Sequence, residues 1–433
     1  MNEVIFSEAG PRAAASGPPA APRAHVPAPA GPDGGAAPVR PAVPGAGAPT
    51  GTPTEAATGA VTGTDVAWRF RRAALRIEEH ITRLYPPAPS GVECWLSSRA
   101  ASGLGPGTAD LVARRLHRTL AAPVRHLVDA GGRRWRPGLI AEMIDLLGGD
   151  SEHYGPLCAA TELTHTGSLM VDDVQDGSPL RRGIPAVHSV LGVAAALNAG
   201  TNAYFALDRA IALTTADDPA LAGRLREVYL AALRTAHAGQ ALDIEGHRAE
   251  MEQAVATGDA GPVRDLVLLT HRLKSGALVS AGSEAAALVT GAGPGTRGAL
   301  AAFGDAVGTA YQITDDVADL LGVTRDGTAT KRVAEDARNG KVTMPLALAV
   351  PLLPAPRLRE LWHLVRDPGA DDRRLEEVRD TLTDCGATDA CRREADALLE
   401  RSWRELEPLL PAGPRTRTLR DMAWYTVHGD RVA

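Results

Sequence analysis

Two short acidic runs carry the chemistry this chain could do: Asp172-Asp173-Val-Gln-Asp176 and Asp315-Asp316-Val-Ala-Asp319. On a helix, positions i and i+4 share a face, so Asp172 and Asp176 point together, and so do Asp315 and Asp319. Carboxylates that close repel one another unless a cation sits between them. Hard divalent ions with oxygen ligands, Mg²⁺ above all, fit such a pair and bridge to phosphate oxygens. The first run is followed at once by two cations, Arg181 and Arg182, in PLRRG. A lone acidic run is ordinarily a solvated helix end. Here the preceding LTHTGSLMV is apolar or small, which buries the helix and turns its acids into a cleft. Buried carboxylates are costly without partners, so partners are expected elsewhere in the chain.

The basic residues supply them. Of 46 lysines and arginines only three are lysine: Lys274, Lys331 and Lys341. A chain that uses arginine wherever either will do keeps lysine where a compact ammonium is needed. All three fall in the same part of the chain as the second acidic run. A second anion site is indicated by GGRRWRP, where Arg133, Arg134 and Arg136 open a helix at Pro137. Positive side chains oppose the helix dipole at that end, so an anionic ligand best explains them. The net charge of −6 argues against nucleic acid as a partner.

Helices must position these groups. Residues 1–63 are rich in Ala, Pro and Gly, hold 12 of the 32 prolines and one aromatic residue, Phe6. Such a segment buries too little apolar surface to offset its chain entropy and is expected to be disordered, ahead of a folded domain at 64–433. A helix with Val66, Phe70, Ala74 and Ile77 on one face follows and ends at Pro86-Pro87. Residues 88–107 read as a loop, 109–128 as a helix and 184–213 as an apolar helical stretch. Gln240 and Asp243 lie in GQALD, Lys274 in KSG, and 355–410 reads as two or three amphipathic helices. No period-2 strand of convincing length occurs, so the chain is expected to be all-α, with the two acidic faces opposed across a bundle cavity. No basic start with an apolar core marks a signal peptide, and no apolar run reaches membrane-spanning length. The four cysteines form no CxxC. A cytoplasmic protein with reduced thiols is expected.

The ordered set GGRRWRP, the helix with His165, DDVQD with PLRRG, GQALD, KSG, and YQITDD with its following lysines resembles the trans-isoprenyl diphosphate synthases, or polyprenyl synthetases. It is closest to the eukaryote-like geranylgeranyl diphosphate synthases, over about residues 66–400. The resemblance implies an isoprenoid-synthase-type helical bundle around a deep central cavity, a homodimer, and a requirement for Mg²⁺, with three ions expected. It assigns Asp172, Asp176, Asp315, Asp316 and Asp319 to metal binding, with Asp173 in the same motif. Arg181, Lys274 and Lys331 match contacts to an allylic diphosphate, and Lys341 matches the later GK element. Arg133, Arg136, His165 and Arg182 match an isopentenyl diphosphate pocket, and Gln240, Asp243 and Gln312 match supporting polar positions. Arg133 stands where most members have lysine.

The implied reaction is Mg²⁺-dependent head-to-tail condensation of isopentenyl diphosphate with an allylic diphosphate. Gly167 and Ser168, five and four positions before Asp172, are small. With His188 near the pocket floor, they imply a deep tail pocket and a geranylgeranyl product. The alternatives are prenyl transfer to another acceptor, terpene cyclisation, and a non-catalytic partner subunit. The complete acidic runs and the intact Arg133, Arg136 and His165 set count against the last two.

Overall fold

Helices supply nearly all the regular structure in the computed structural model, which describes residues 63–322, 324–325, 328–329, 333–366 and 371–429. Apart from Gly63, the segment expected to be disordered lies outside the described residues, and so does Lys331. Helix α1 (Gly63–Leu84) buries Val66, Phe70, Ala73, Ile77, Ile81 and Leu84 along a single stripe, the spacing a 3.6-residue period requires. Helix α2 (Trp135–Leu146) is buried nearly all round, as a central helix must be. Helix α3 (Gly155–Asp176) opens on Pro156 and carries the first acidic run at its end. After it come α4 (Val193–Ala203) and α5 (Pro219–Glu245), the latter capped by Asp218, whose side chain accepts the Leu221 N–H at 2.8 Å. Then follow α6 (Gly261–His271), α7 (Ala277–Val289), α8 (Pro294–Leu321), α9 (Ala387–Leu406) and α10 (Pro414–His428).

The all-α expectation holds. Helix α8 lies against α7 and α9, α5 against α7, and α3 against α1 and α4. One apolar core runs through them, with Leu163, Met170, Leu300, Phe303 and Ile313 fully buried. Apart from helices, the described residues form two two-residue ladders. The first pairs Leu180 with Pro185 and Arg181 with Ile184, turning at Arg182 and Gly183, both at positive φ (56° and 79°). It is a tight hairpin placed directly after the first acidic run, and it folds Arg181 back toward that run.

Three expectations need correction. The segment 88–107 contains a 3₁₀ turn at Val92–Cys94 and a helical turn at Ser98–Ala101, capped by Ser97. The helix expected at 109–128 begins at Pro106 and passes through a π-helical turn at His117–Ala121. The stretch 184–213 opens on the second strand of the first ladder and then forms three helices, because Gly192 breaks it with φ 85° and a second break separates Ala203 from Ala206.

Gly167 is also not where its smallness suggested. A Cβ there would lie 2.4 Å from the Gly200 carbonyl oxygen and 2.8 Å from Ala203 Cβ. Its missing side chain lets α3 and α4 cross at close range and leaves no space for a substrate tail.

Candidate active site

The acids of both runs line one cavity of about 1810 Å³. Helical rotation decides which acids of the first run reach it. Asp172 and Asp176 do, while Asp173, about 100° further round α3, turns into the protein and is fully buried. There its Oδ1 accepts Arg181 Nε at 2.7 Å and lies 2.5 Å from Nη2. Burial pushes the Asp173 carboxyl up to about 6 against the pull of Arg181. Asp173 therefore anchors Arg181, which does line the cavity, with Nη2 4.0 Å from Asp172.

The two described lysines neutralise the cavity acids. Lys274 Nζ donates to Asp172 Oδ1 at 3.1 Å and to Asp243 Oδ2 at 2.8 Å. Lys341 Nζ donates to Asp176 Oδ2 at 2.9 Å and reaches the same Asp243 oxygen at 3.5 Å. Gln240 donates to Asp172 Oδ1 at 2.9 Å. Burial alone would raise Asp172, but Lys274, Arg181 and Lys341 outweigh it and hold the carboxyl down to about 2. Both ammoniums rise above their usual range, since their acidic neighbours overcome burial. Lys274 sits in a π-helical turn, Arg272–Gly276, between α6 and α7. Helix α5 approaches that turn at Gly239, where a Cβ would lie 2.3 Å from the Lys274 backbone nitrogen. Only glycine allows Asp243 to come within reach of both lysines.

In the second run, Asp316 is buried and well tied. Its Oδ2 accepts the Met344 N–H at 2.9 Å and lies 3.2 Å from His271 Nε2. Gln312, itself accepting from Ser275 Oγ at 2.7 Å, reaches Asp316 Oδ1 at 3.5 Å. Asp319 accepts the Asp336 N–H at 3.2 Å and, through its carbonyl, the Ala334 N–H at 2.8 Å. Asp316 and Asp319 thus fix the segment that delivers Lys341. Asp315 faces the cavity half-buried. Carboxylate oxygens from both runs lining one cavity are the donor chemistry that a hard divalent ion takes. Among the described residues, no three carboxylates, imidazoles or thiolates converge on one point, and the acids of the first run are paired with cations instead.

The arginine corner completes the cavity. Arg134 and Arg182 both adopt left-handed backbone, φ 49° and 56°. Both donate to one oxygen of buried Glu162, at 2.8 and 2.9 Å, and Arg134 also donates to Glu78 at 2.8 Å and to the Val128 carbonyl at 2.7 Å. Arg134, read with its neighbours as an anion contact, is mainly the brace of this corner. Arg133 and Arg136 flank Tyr311, their guanidinium carbons 5.4 and 5.3 Å from its ring, and Arg136 also lies 4.3 Å over Trp135. His165 lines the same corner, and burial together with Arg136 and Arg182 drops its pKa well below the usual value, so the imidazole is neutral.

A family profile described as polyprenyl synthetase matches residues 117–382, more than half of the chain. The chain belongs to the polyprenyl synthetase family. It is 33% identical over 292 residues to a geranylfarnesyl diphosphate synthase of Aeropyrum pernix, covering 66% of this chain and 86% of that one. It is 29% identical over 272 residues to a short chain isoprenyl diphosphate synthase of Methanothermobacter thermautotrophicus, covering 63% of this chain and 78% of that one. Among solved structures it is similar to a Caulobacter crescentus polyprenyl synthase in complex with calcium and isoprenyl diphosphate. That likeness has 27% identity and a TM-score of 0.66, over 85% of this chain and 98% of the other.

In this polyprenyl synthetase a second, apolar cavity opens behind the arginine corner, between α2, α3, α5 and α7. Ile140, Leu157, Leu225, Val228 and Leu278 line it, and it shares Arg136, Thr164, His165 and Leu278 with the main cavity. The Tyr229 hydroxyl, bonded to the Tyr204 carbonyl and 3.4 Å from Thr164 Oγ1, forms part of its wall. Of the three residues expected to shape a tail pocket, Ser168 lines the main cavity, with its hydroxyl donated to the His165 carbonyl at 2.8 Å. His188 lines neither cavity; it lies beside Ser189 on a short helix, Val187–Leu191. Glu162, Trp135, Tyr311 and Tyr229 were not singled out from sequence. Glu162 and Tyr229 sit in largely apolar stretches with no charge pattern to flag them, while Trp135 and Tyr311 lie within GGRRWRP and YQITDD, where the charged neighbours drew the reading.

Proposed function

We propose that this prenyltransferase condenses isopentenyl diphosphate head-to-tail with an allylic diphosphate, with geranylgeranyl diphosphate as the main product. The observation that carries the reading is one cavity with two separate places for an anion. One is the wall of acids and lysines, the other the corner of Arg133, Arg136, Arg182 and neutral His165. A cyclase acting on a single diphosphate has no use for the second.

Bound at Asp172, Asp176 and Asp315, Mg²⁺ would neutralise the allylic diphosphate and make it a better leaving group. Arg181, Lys274 and Lys341 border the same space and add positive charge toward the departing oxygens. Lys331, outside the described residues, is proposed as a further contact of this kind. Gln240, Asp243 and Gln312 hold these groups in place. Arg133 and Arg136, braced by Tyr311 and Trp135, fix the second diphosphate so that its double bond faces the ionising carbon. Neutral His165 donates a hydrogen bond there without competing for protons. The small apolar cavity beyond, about 50 Å³ as it stands, is proposed as the start of the path that the growing tail would widen, and its apolar lining keeps water from the cation. A homodimer is proposed as well, since Val190, Leu191, Val193, Phe205 and Leu230 are exposed, Phe205 at 66%.

Purified protein incubated with Mg²⁺, farnesyl diphosphate and isopentenyl diphosphate should give a twenty-carbon diphosphate by mass spectrometry. No elongation with any allylic primer would refute the assignment. Hydrocarbon release from geranylgeranyl diphosphate alone would favour the cyclase.

A further inference from the structure

The outer face of α1 is not explained by catalysis. Its inner stripe is buried, yet Trp68 and Leu75 stand 55% and 72% exposed on the other side. Seven residues apart, they lie two turns from each other on one face, about 10 Å along the axis. Five exposed arginines surround them: Arg69, Arg71, Arg72, Arg76 and Arg83. The guanidinium of Arg72 stacks 5.5 Å from the Trp68 ring. Helix α10 packs beside α1, with Phe70 and Tyr425 stacked at 5.8 Å. It adds exposed Arg417 and Arg420, which with Arg69 surround Asp421. In a chain of net charge −6, seven arginines therefore gather there against five exposed or partly exposed acids, Glu78, Glu79, Glu142, Glu400 and Asp421, of which Glu78 is held by Arg134 and Glu400 by Arg420.

An aromatic and an aliphatic side chain set among arginines on a helix lying along a surface is the pattern of an interfacial helix. The same helix borders the reaction cavity, since Phe70, Arg71 and Ala74 line it. We infer that α1 and α10 form a docking face for an anionic lipid bilayer, holding the cavity rim against the apolar phase into which a prenyl product partitions. The choice of lipid over other polyanions rests on the prenyl-transfer reading. The stretch before α1 carries three arginines against four acids in residues 1–62, a net charge of −1 that is too small to neutralise the face.

The test is flotation of the full-length protein with vesicles of phosphatidylcholine alone or mixed with phosphatidylglycerol. Binding should require phosphatidylglycerol and fall with added salt. At about 1 kcal/mol per surface arginine, Arg72→Ala with Arg76→Ala should weaken partitioning at least roughly tenfold. Trp68→Ala with Leu75→Ala should weaken it too, at unchanged salt dependence. None of these four residues lines the cavity, so elongation of a short primer in vesicle-free buffer should match wild type in both variants. Equal binding to both vesicle types, or wild-type binding by either variant, would overturn the inference. So would retention on heparin that the arginine variant loses while vesicles bind nothing. Absence of elongation in vesicle-free wild type would instead count against the prenyl-transfer reading, whatever the vesicles show.

Discussion

Glu162 is the residue whose removal should cost most outside the reacting groups. It is 3% exposed, and one of its oxygens receives both Arg134 and Arg182. A hydrogen bond to a charged group contributes about 1.5–3 kcal/mol, and stripping one partner from a buried ion pair costs about 3–5 kcal/mol. Here the loss leaves two guanidiniums facing one another. It also removes what holds two left-handed non-glycine residues, a conformation disfavoured by about 1–2 kcal/mol each. Glu162→Ala should therefore lose about 4 kcal/mol, which for a helical domain this large is a drop of about 5 °C in melting temperature. Glu162→Gln, which keeps the shape and one acceptor, should lose about half of that. Because Arg134 lies between Arg133 and Arg136, the alanine variant should raise KM for isopentenyl diphosphate about tenfold or more, with KM for the allylic primer nearly unchanged. Thermal melts and two-substrate kinetics read these effects. A Glu162→Ala protein that melts with wild type and binds isopentenyl diphosphate normally would refute the brace.

Three further outcomes follow from the geometry. His165 is neutral when folded, its pKa well below 6.5, whereas the unfolded chain takes up a proton there below about pH 6.5. Stability should thus fall as pH drops through that range, by up to roughly 1.4 kcal/mol per unit, and urea titrations of His165→Asn should lack that slope. Gly239→Ala should destabilise by about 1–3 kcal/mol and depress kcat by displacing Lys274. Gly223→Ala in the same helix, where a Cβ meets nothing within 4 Å, should be neutral or stabilising. A wild-type kcat for Gly239→Ala would show that the close approach does not matter. Gly167→Ala should lower the melting temperature without shortening the product, whereas Tyr229→Ala should open the apolar cavity and lengthen it. Shortened chains from a fully stable Gly167→Ala would return that residue to the tail pocket.

The parts of the site that were legible in the sequence share a short-range pattern. Asp172 with Asp176 follows from helical period alone, and the same period turns Asp173 away, a consequence that motif reading overlooks. The rarity of lysine pointed to Lys274 and Lys341, and both hold cavity acids. Arg133, Arg136 and His165 were grouped by motif, and they line one corner. What stayed hidden depends on contacts between distant elements. Glu162 is a single acid in an apolar run, and nothing local says that arginines 28 positions before and 20 after will meet on it. A glycine that serves a helix crossing looks the same in sequence as one that clears a pocket, and only the position of Gly200 separates them.

The π-helical turn at Arg272–Gly276 has a consequence for how this site can change. A π turn holds one residue more than an α-helical turn over the same path, so it shifts the angular phase of everything within it. Helices α6 and α7 on either side keep their own packing faces, while Lys274, inside the turn, is free to face Asp172 and Asp243. Deleting one residue between 272 and 276 would restore regular winding and swing the lysine by about 100°, with the bundle otherwise able to close. The ammonium between two aspartates is thus set by a count of residues as much as by their identity, so an insertion or deletion, rather than a substitution, is the step by which relatives could gain or lose it.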